Sequence, residues 1–293
     1  MSGEQQAQPK ARDKVAGHQL GQELLPDQSR KLLHELHLLT PQGDLNADAR
    51  RKLKQINHLV GLLRPALLPL FGEAHGPTVI DAGSGNGYLG FLLYEMVIGP
   101  AGFGQVIALE TRAELVQRAT ERAVRLGYTR IEALHTKVAE YVPRVTESAL
   151  AVTALHACDT ATDDAIALGI ANQAAVIAVV PCCQAELARL LASADKATPL
   201  HALWRHPIQR REFAAHLTNV VRALVLESHG YQVTVTELVG WEHSLKNELI
   251  LARKIQRGNG LARKQLAALL AQFPVLPMQL LTNKSLDDST CGD

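Results

Sequence analysis

The chain has 293 residues, of which 47% are apolar and 4% aromatic, and 30 basic against 29 acidic residues give a net charge of +1 at pH 7. This length allows one large domain with appendages or two modest domains, and the apolar fraction is typical of a soluble globular protein. The charge balance neither requires nor excludes a nucleic-acid partner, because a basic patch can lie within a balanced total.

Two features argue against a secreted or membrane protein. The opening sequence MSGEQQAQPKARDK lacks the apolar stretch of a secretory signal, and no later segment offers the ~18 unbroken apolar residues of a membrane span. The chain has four cysteines, which without such a signal favours a reducing compartment over a structural disulfide. We therefore expect a cytoplasmic protein that has no membrane partner.

The first quarter of the chain is predicted to be helical after a polar start. Residues 1–20 are predicted to form a disordered tail, and residues 21–72 a helical N-terminal extension. Within the extension, apolar residues recur at three- and four-residue steps, as on one face of a helix: Leu53, Ile56, Leu59, Val60, Leu63 and Leu67. Four cations fall at the start of this helix, on its exposed side: Arg50, Arg51, Lys52 and Lys54.

From residue 73 to residue 255, short apolar runs alternate with helical stretches. Five runs predict strands: TVIDAG, QVIALE, RIEALH, ALAVTALHA and AVIAVV. Two further runs, YQVTVTELV and NELILARKI, are close enough to pair as an antiparallel hairpin. Repeated strand–helix units predict a Rossmann-like, doubly wound α/β fold with a mainly parallel seven-stranded sheet and an antiparallel C-terminal hairpin. Residues 256–293 are predicted to form a last helix and a polar tail.

The first strand-to-helix turn, VIDAGSGNGYLG, carries the strongest motif. Gly83, Gly85 and Gly87 allow the backbone to turn sharply and a ligand to approach its amides. Glu110 ends the second strand, where a carboxylate accepts hydrogen bonds from both ribose hydroxyls. Asp81, before the glycines, would repel a pyrophosphate but suits the ammonium of S-adenosylmethionine. The set resembles the cofactor site of class I methyltransferases and implies that cofactor.

A finer resemblance lies in ALHACDTATDDAI, VVPCCQ and EHSLKNELILARK. These stretches resemble the group called methyltransferase domain 32, which includes the domain of the glutathione S-transferase C-terminal-domain-containing protein. More distantly they resemble tRNA 2′-O-methyltransferases. The resemblance covers about residues 50–255 and implies a methyltransferase domain over residues 73–255. Asp159 stands where the eukaryotic relatives are expected to have glycine.

The catalytic candidates follow the fourth and fifth predicted strands. In this fold the fourth strand is expected between the first and the fifth, and ligands sit at the carboxyl ends of the strands. Five side chains should therefore converge beside the methyl group: His156, Cys158, Asp159, Cys182 and Cys183. Three roles are open for the cysteines. They could pack closely against the cofactor, attack a pyrimidine as nucleophiles, or bind zinc. Packing is favoured and no metal is predicted, because the spacing lacks a C-x₂₋₄-C pair.

The substrate candidates form a second group of polar residues. His243, Lys246 and Asn247 lie in the turn between the last two strands, and Arg210 and Arg211 begin a long predicted helix after Arg205 and His206. Together with the basic residues 50–54 they suit an anionic substrate. We predict a methyltransferase acting on RNA, either tRNA or rRNA, with no DNA partner. The alternatives are a protein or small-molecule methyltransferase and a catalytically silent binding module.

Overall fold

The structure, a computed structural model, describes residues 24–25, 28–72, 75–144, 148–155, 160–181, 185–238, 248–273 and 279–282. These residues contain one seven-stranded sheet. Its strands are β1 (Thr78–Ala82), β2 (Gln105–Glu110), β3 (Ile131–His135), β4 (Leu150–Leu155), β5 (Val176–Val180), β6 (Tyr231–Glu237) and β7 (Glu248–Lys254).

The strand order is β3-β2-β1-β4-β5-β7-β6. Strands β1 to β5 pair in parallel, whereas β7 pairs antiparallel with both β5 and β6. The predicted fold class is confirmed, including the position of β4 between β1 and β5. The order reverses between β1 and β4, and ligands bind in such sheets at the carboxyl ends of the strands beside this reversal.

Helices cover both faces of the sheet, which is why β1 and β5 are buried along their whole length. The helices are α1 (Arg30–Glu35), α2 (Ala47–Leu67), α3 (Tyr88–Leu93), α4 (Ala113–Leu126), α5 (Thr160–Ala171), α6 (Ala185–Ser193), α7 (Pro207–Ser228), α8 (Gly260–Gln272) and α9 (Gln279–Thr282). After its last α-helical residue, α3 continues through π-helical residues Tyr94–Ile98 and a final turn, Gly99–Ala101.

Two apolar clusters form the core, one on each face of the sheet. One cluster joins buried residues of α1 to α4 to the sheet, and the other joins residues of α5 to α7 to the opposite face. Alternation along the strands produces this division, since Val79 belongs to the first cluster and Ile80 to the second. The N-terminal extension is therefore part of the core, because α1 and α2 contribute buried leucines to the first cluster.

The remaining sequence-based boundaries stay predictions. Residues 1–20 lie outside the described residues. The segments before residue 72 and after residue 255 pack against the same apolar clusters as the strands. Within the described ranges, none of the helices combines the length and the apolar composition that crossing a membrane requires.

Candidate functional site

The turn after β1 has the left-handed backbone that its glycines permit. The φ angles of Gly83, Gly85 and Gly87 are 65°, 57° and 75°, a region in which residues with a Cβ are strained. The turn is held by hydrogen bonds of 2.8 Å from Gly87 N to Ser84 O and 2.9 Å from Ser84 N to Leu109 O. The second bond attaches the turn to β2, so both halves of the predicted cofactor site are in contact.

A methyl-sized group fits beside Gly85 without a clash. A Cβ built there would come no nearer than 3.9 Å to the nearest atoms, which are Arg112 Nη2 and Gly83 O. At Gly87, in contrast, a Cβ would lie 2.9 Å from the ring of Phe91. Gly87 therefore serves the packing of the turn, whereas the backbone at Gly85 is not crowded by a neighbouring side chain.

Asp81 is a buried carboxyl group beneath this turn. Its side chain is 2% exposed, and its Oδ2 accepts a 3.1 Å hydrogen bond from the amide of Gly90. Burial, helped by the nearby charge of Glu110, raises the pKa of Asp81 to about 7 in spite of that hydrogen bond. A Cβ at position 90 would lie 2.8 Å from Asp81 Oδ2, so Gly90 is required for this approach.

Glu110 lies at the end of β2 and accepts hydrogen bonds from the turn. Its Oε2 accepts a 2.9 Å bond from Gly85 N, and its Oε1 accepts 3.0 Å bonds from the amides of Thr111 and Arg112. The Arg112 side chain adds bonds of 3.0 Å from Nε to Oε1 and 3.2 Å from Nη2 to Oε2. Burial opposes ionisation, but these donors outweigh it and hold the pKa of Glu110 below its ordinary value.

The Arg112 side chain occupies one edge of the Glu110 carboxylate. It is 59% exposed, and an ion pair with so much solvent access contributes about 0.2–1 kcal/mol. A ligand that offers two hydroxyl donors to the same carboxylate could therefore replace the guanidinium at small cost.

The ends of β4 and β5 lie side by side, as the sequence predicts. Leu155 pairs with Val180 at the last register position of the two strands. The catalytic candidates that follow, His156, Cys158, Asp159, Cys182 and Cys183, lie outside the described residues, as do the substrate candidates His243, Lys246 and Asn247. Their proposed positions stay predictions.

Two basic helix starts flank the carboxyl edge of the sheet. α2 ends shortly before β1 and α7 ends shortly before β6, so both helices run back towards the amino edge and begin towards the carboxyl edge. They pack on opposite faces, since α2 belongs to the first core cluster and α7 to the second. The start of α7 carries a half-buried Arg210 and an exposed Arg211, and the start of α2 carries exposed Lys52 and Lys54.

Some residues of the site were not found from the sequence. Gly90 and Arg112 gave a usable signal, since one is a glycine inside a helix and the other is a cation two residues after Glu110. Arg122 gave none, because its guanidinium reaches the turn from the middle of an amphipathic helix, where its Nη1 donates a 2.7 Å bond to Asn86 O.

A buried ion pair lies behind the predicted substrate side. Arg222 Nε is 2.7 Å from Asp163 Oδ1, with side chains 1% and 2% exposed. Asn219, which accepts a bond from Arg222, donates to Glu248 Oε2 at the start of β7. The pair therefore links α5, α7 and β7, and two of these elements directly follow residues 156–159 and 239–247, which carry undescribed candidates.

No metal centre is evident in the part of the chain that the structure describes, where no three His, Cys, Asp or Glu side chains are grouped as ligands. The described site consists instead of backbone amides, the two carboxyl groups of Asp81 and Glu110, and Arg112, which pairs with Glu110. Such a set suits an organic ligand that carries a hydroxyl pair and an ammonium.

Residues 51–190, a little under half of the chain, match the model of the family Methyltransf_32, described as a methyltransferase domain. This match includes the turn, Glu110 and the ends of β4 and β5. Together with the sheet order, it confirms the prediction of a methyltransferase enzyme, and it agrees with the prediction of S-adenosylmethionine as its cofactor. The finer predicted relationships, to the glutathione S-transferase-related group and to tRNA 2′-O-methyltransferases, remain predictions.

Solved structures with a similar fold include methyltransferases that are named for different substrates. An rRNA methylase from Streptococcus thermophilus is 14% identical with a TM-score of 0.42, over 67% of this chain and 96% of its own. A magnesium protoporphyrin IX methyltransferase from Synechocystis PCC 6803, with bound S-adenosylmethionine, is 14% identical with a TM-score of 0.43, over 79% and 100%. A geranyl diphosphate methyltransferase is 17% identical with a TM-score of 0.46, over 74% and 94%. No match was found among curated proteins.

Proposed function

We propose that the protein transfers the methyl group of S-adenosylmethionine to RNA, with tRNA or rRNA as the substrate. Asp81, Gly83, Gly85, Gly87 and Glu110 hold the cofactor in this proposal. When bound, S-adenosylmethionine supplies a methyl group on a positively charged sulfur: the carbon–sulfur bond breaks, a bond from the methyl carbon to the acceptor forms, and the acceptor loses a proton to a base or to water.

The described residues fit this cofactor in two ways. A Cβ at Gly85 would make only ordinary contacts, so no neighbouring side chain crowds the backbone of the turn at this position. Burial raises the pKa of Asp81 and disfavours its charged form, and a bound ammonium beside this carboxyl group would offset that effect. Glu110 is already ionised at neutral pH and binds two hydroxyls once the guanidinium of Arg112 leaves.

The observation that supports RNA is the pair of basic helix starts at one edge of the sheet. Residues 47–54 have a net charge of +3, from four cations and Asp48. Residues 205–212 have a net charge of +2, with His206 counted as neutral and Glu212 as the one acid. Since phosphates repeat along a nucleic-acid strand, a strand that crosses this edge meets cations on both faces of the sheet.

In the proposal the undescribed loops hold the acceptor. His156, Cys158, Asp159, Cys182 and Cys183 face the methyl group, and His243, Lys246 and Asn247 join Arg210 and Arg211 on the substrate side. The apolar runs before the cysteines predict that their thiols are buried, and buried thiols are poor nucleophiles, so packing remains the favoured role. Alignment of acceptor and methyl group is then the main contribution of these loops to the rate.

The experiment uses total RNA and ribosomal proteins from a strain that lacks the gene. The purified protein and isotopically labelled S-adenosylmethionine are added to each, and modified nucleosides and peptides are identified by mass spectrometry. The proposal expects label in one nucleoside of tRNA or rRNA. Label in protein alone would contradict the RNA substrate and would support a protein methyltransferase. Cofactor binding without transfer to any acceptor would favour the silent binding module.

A further inference from the structure

Arg122 of α4 connects the turn after β1, residues 83–87, to the N-terminal helix α1. This turn is called the cofactor turn below. Its side chain is 5% exposed, and its two ends reach different parts of the chain. Nη1 donates a 2.7 Å hydrogen bond to Asn86 O in the turn, and Nε donates a 3.0 Å bond to Glu35 O, the last carbonyl of α1. The guanidinium also lies over the ring of Phe91, 5.3 Å from its centroid.

The bond to Asn86 fixes the peptide plane between Asn86 and Gly87. The carbonyl of that peptide accepts from Arg122, and its N–H donates to Ser84 O at 2.8 Å. Because a peptide unit is rigid, holding both ends fixes the orientation of the neighbouring backbone. That backbone includes Gly85, whose amide binds Glu110.

The bond to Glu35 makes α1 the other support of Arg122. The last carbonyls of a helix lack partners within the helix, and the Arg122 guanidinium satisfies one of them. α1 is itself fixed at several points. Ser29 N donates to Glu95 at 3.0 Å, Lys31 donates to Arg125 O at 2.7 Å, and Arg125 is 2.8 Å from the Glu35 carboxylate.

We propose that α1 contributes to cofactor binding and that Arg122 is the positioning residue that couples α1 to the cofactor turn. This inference rests on the proposed function, since it concerns the same cofactor turn. α1 precedes the segment that matches the methyltransferase domain, so the coupling is a property of the extension of this chain. Coupling of this kind is reciprocal: a bound cofactor stabilises α1, and loss of the link weakens cofactor binding.

The test compares Arg122→Met with Arg125→Met, which removes an ion pair to the same α1 but no contact with the turn. S-adenosylhomocysteine is the probe, and calorimetry and hydrogen exchange are the readouts. Arg122→Met should weaken binding about tenfold, as expected for one charge-assisted hydrogen bond. Its exchange should be faster at residues 83–87 and 30–35 but unchanged in β4. Arg125→Met, which leaves both Arg122 bonds in place, should speed exchange in α1 but not at residues 83–87, and it should weaken binding by less than Arg122→Met does.

Saturating ligand supplies the reciprocal measurement. It should slow exchange in α1 of the wild type and leave α1 unchanged in Arg122→Met. If Arg122→Met does not fold, Arg122→Lys takes its place. Lysine keeps the charge but can donate to only one of the two carbonyls at a time, so binding should weaken by less than the roughly tenfold loss expected for Arg122→Met. Wild-type affinity in Arg122→Met, or faster exchange throughout the sheet, would overturn the coupling. A wild type that binds no ligand would contradict the proposed function, while the exchange of the free variants would still decide on the coupling.

Discussion

At the scale of the residue, Asp81 makes the site sensitive to pH. Its pKa is raised from an ordinary value of 3.8 to about 7 by burial, so the folded protein binds a proton that the unfolded chain releases. Its contribution to stability is present below about pH 4 and is lost as the pH rises through 7. A shift of this size corresponds to about 4 kcal/mol.

We therefore predict opposite pH trends for folding and for cofactor binding. Between pH 5 and 7.5 the free energy of unfolding should fall more steeply in the wild type than in Asp81→Asn, by urea denaturation. Over the same pH range, the affinity of the wild type for S-adenosylmethionine should rise, because the ammonium group of the cofactor binds the ionised carboxylate of Asp81. Equal pH dependence of affinity in both proteins would remove Asp81 from the ammonium site.

Gly85 and Gly102 form a matched pair for testing whether the cofactor lies against the turn. Both have positive φ, 57° and 75°, and a Cβ would meet nothing closer than 3.9 Å at Gly85 and nothing within 4 Å at Gly102. Alanine at either position should destabilise the fold by about 1 kcal/mol through its left-handed backbone. Gly85→Ala alone should also weaken cofactor binding, since its methyl group would lie between the turn and the cofactor. An equal effect of both variants in calorimetry would mean that the cofactor does not lie against Gly85.

At the scale of the element, the sequence predicted the sheet and the cofactor turn but not the contacts that hold the turn. Alternating strands, helices and glycines are local patterns, so β1 to β7 and the glycine-rich turn after β1 could be predicted. The partners of Asn86 and Asp163 are Arg122 and Arg222, which are 36 and 59 residues away along the chain. Such pairings depend on how helices pack and leave no periodic signal.

The basic start of α2 can be tested against its own far end. Lys52 and Arg64 are exposed cations of one helix, separated by 12 residues or about 18 Å. If RNA crosses the carboxyl edge, Lys52→Glu should weaken RNA binding and reduce the slope of log affinity against log salt by about one. Arg64→Glu, towards the amino edge, should leave both unchanged. The measurement is a salt titration of tRNA and rRNA binding, and equal losses would indicate a diffuse charge effect.

At the scale of the whole molecule, the extension, the sheet and the turn form one continuous core. The first apolar cluster runs from Leu32 in α1 to Leu251 in β7, and Arg122 adds a polar link from α1 to the turn. A cofactor that binds only the folded state stabilises this assembly by mass action. Its effects should therefore be visible far from the turn, in α1, as well as in the residues that contact it.

The central claim is that the turn after β1 and the carboxylate after β2 bind S-adenosylmethionine. Calorimetry on the wild type, Glu110→Ala and Arg112→Met tests it most directly. The wild type should bind one cofactor per chain, and Glu110→Ala should bind tens-fold more weakly, because two charge-assisted hydrogen bonds are worth roughly 2–4 kcal/mol. Arg112→Met should bind as tightly as the wild type or more tightly, since the ribose no longer has to displace a guanidinium. No binding by the wild type, or unchanged affinity in Glu110→Ala, would contradict the account.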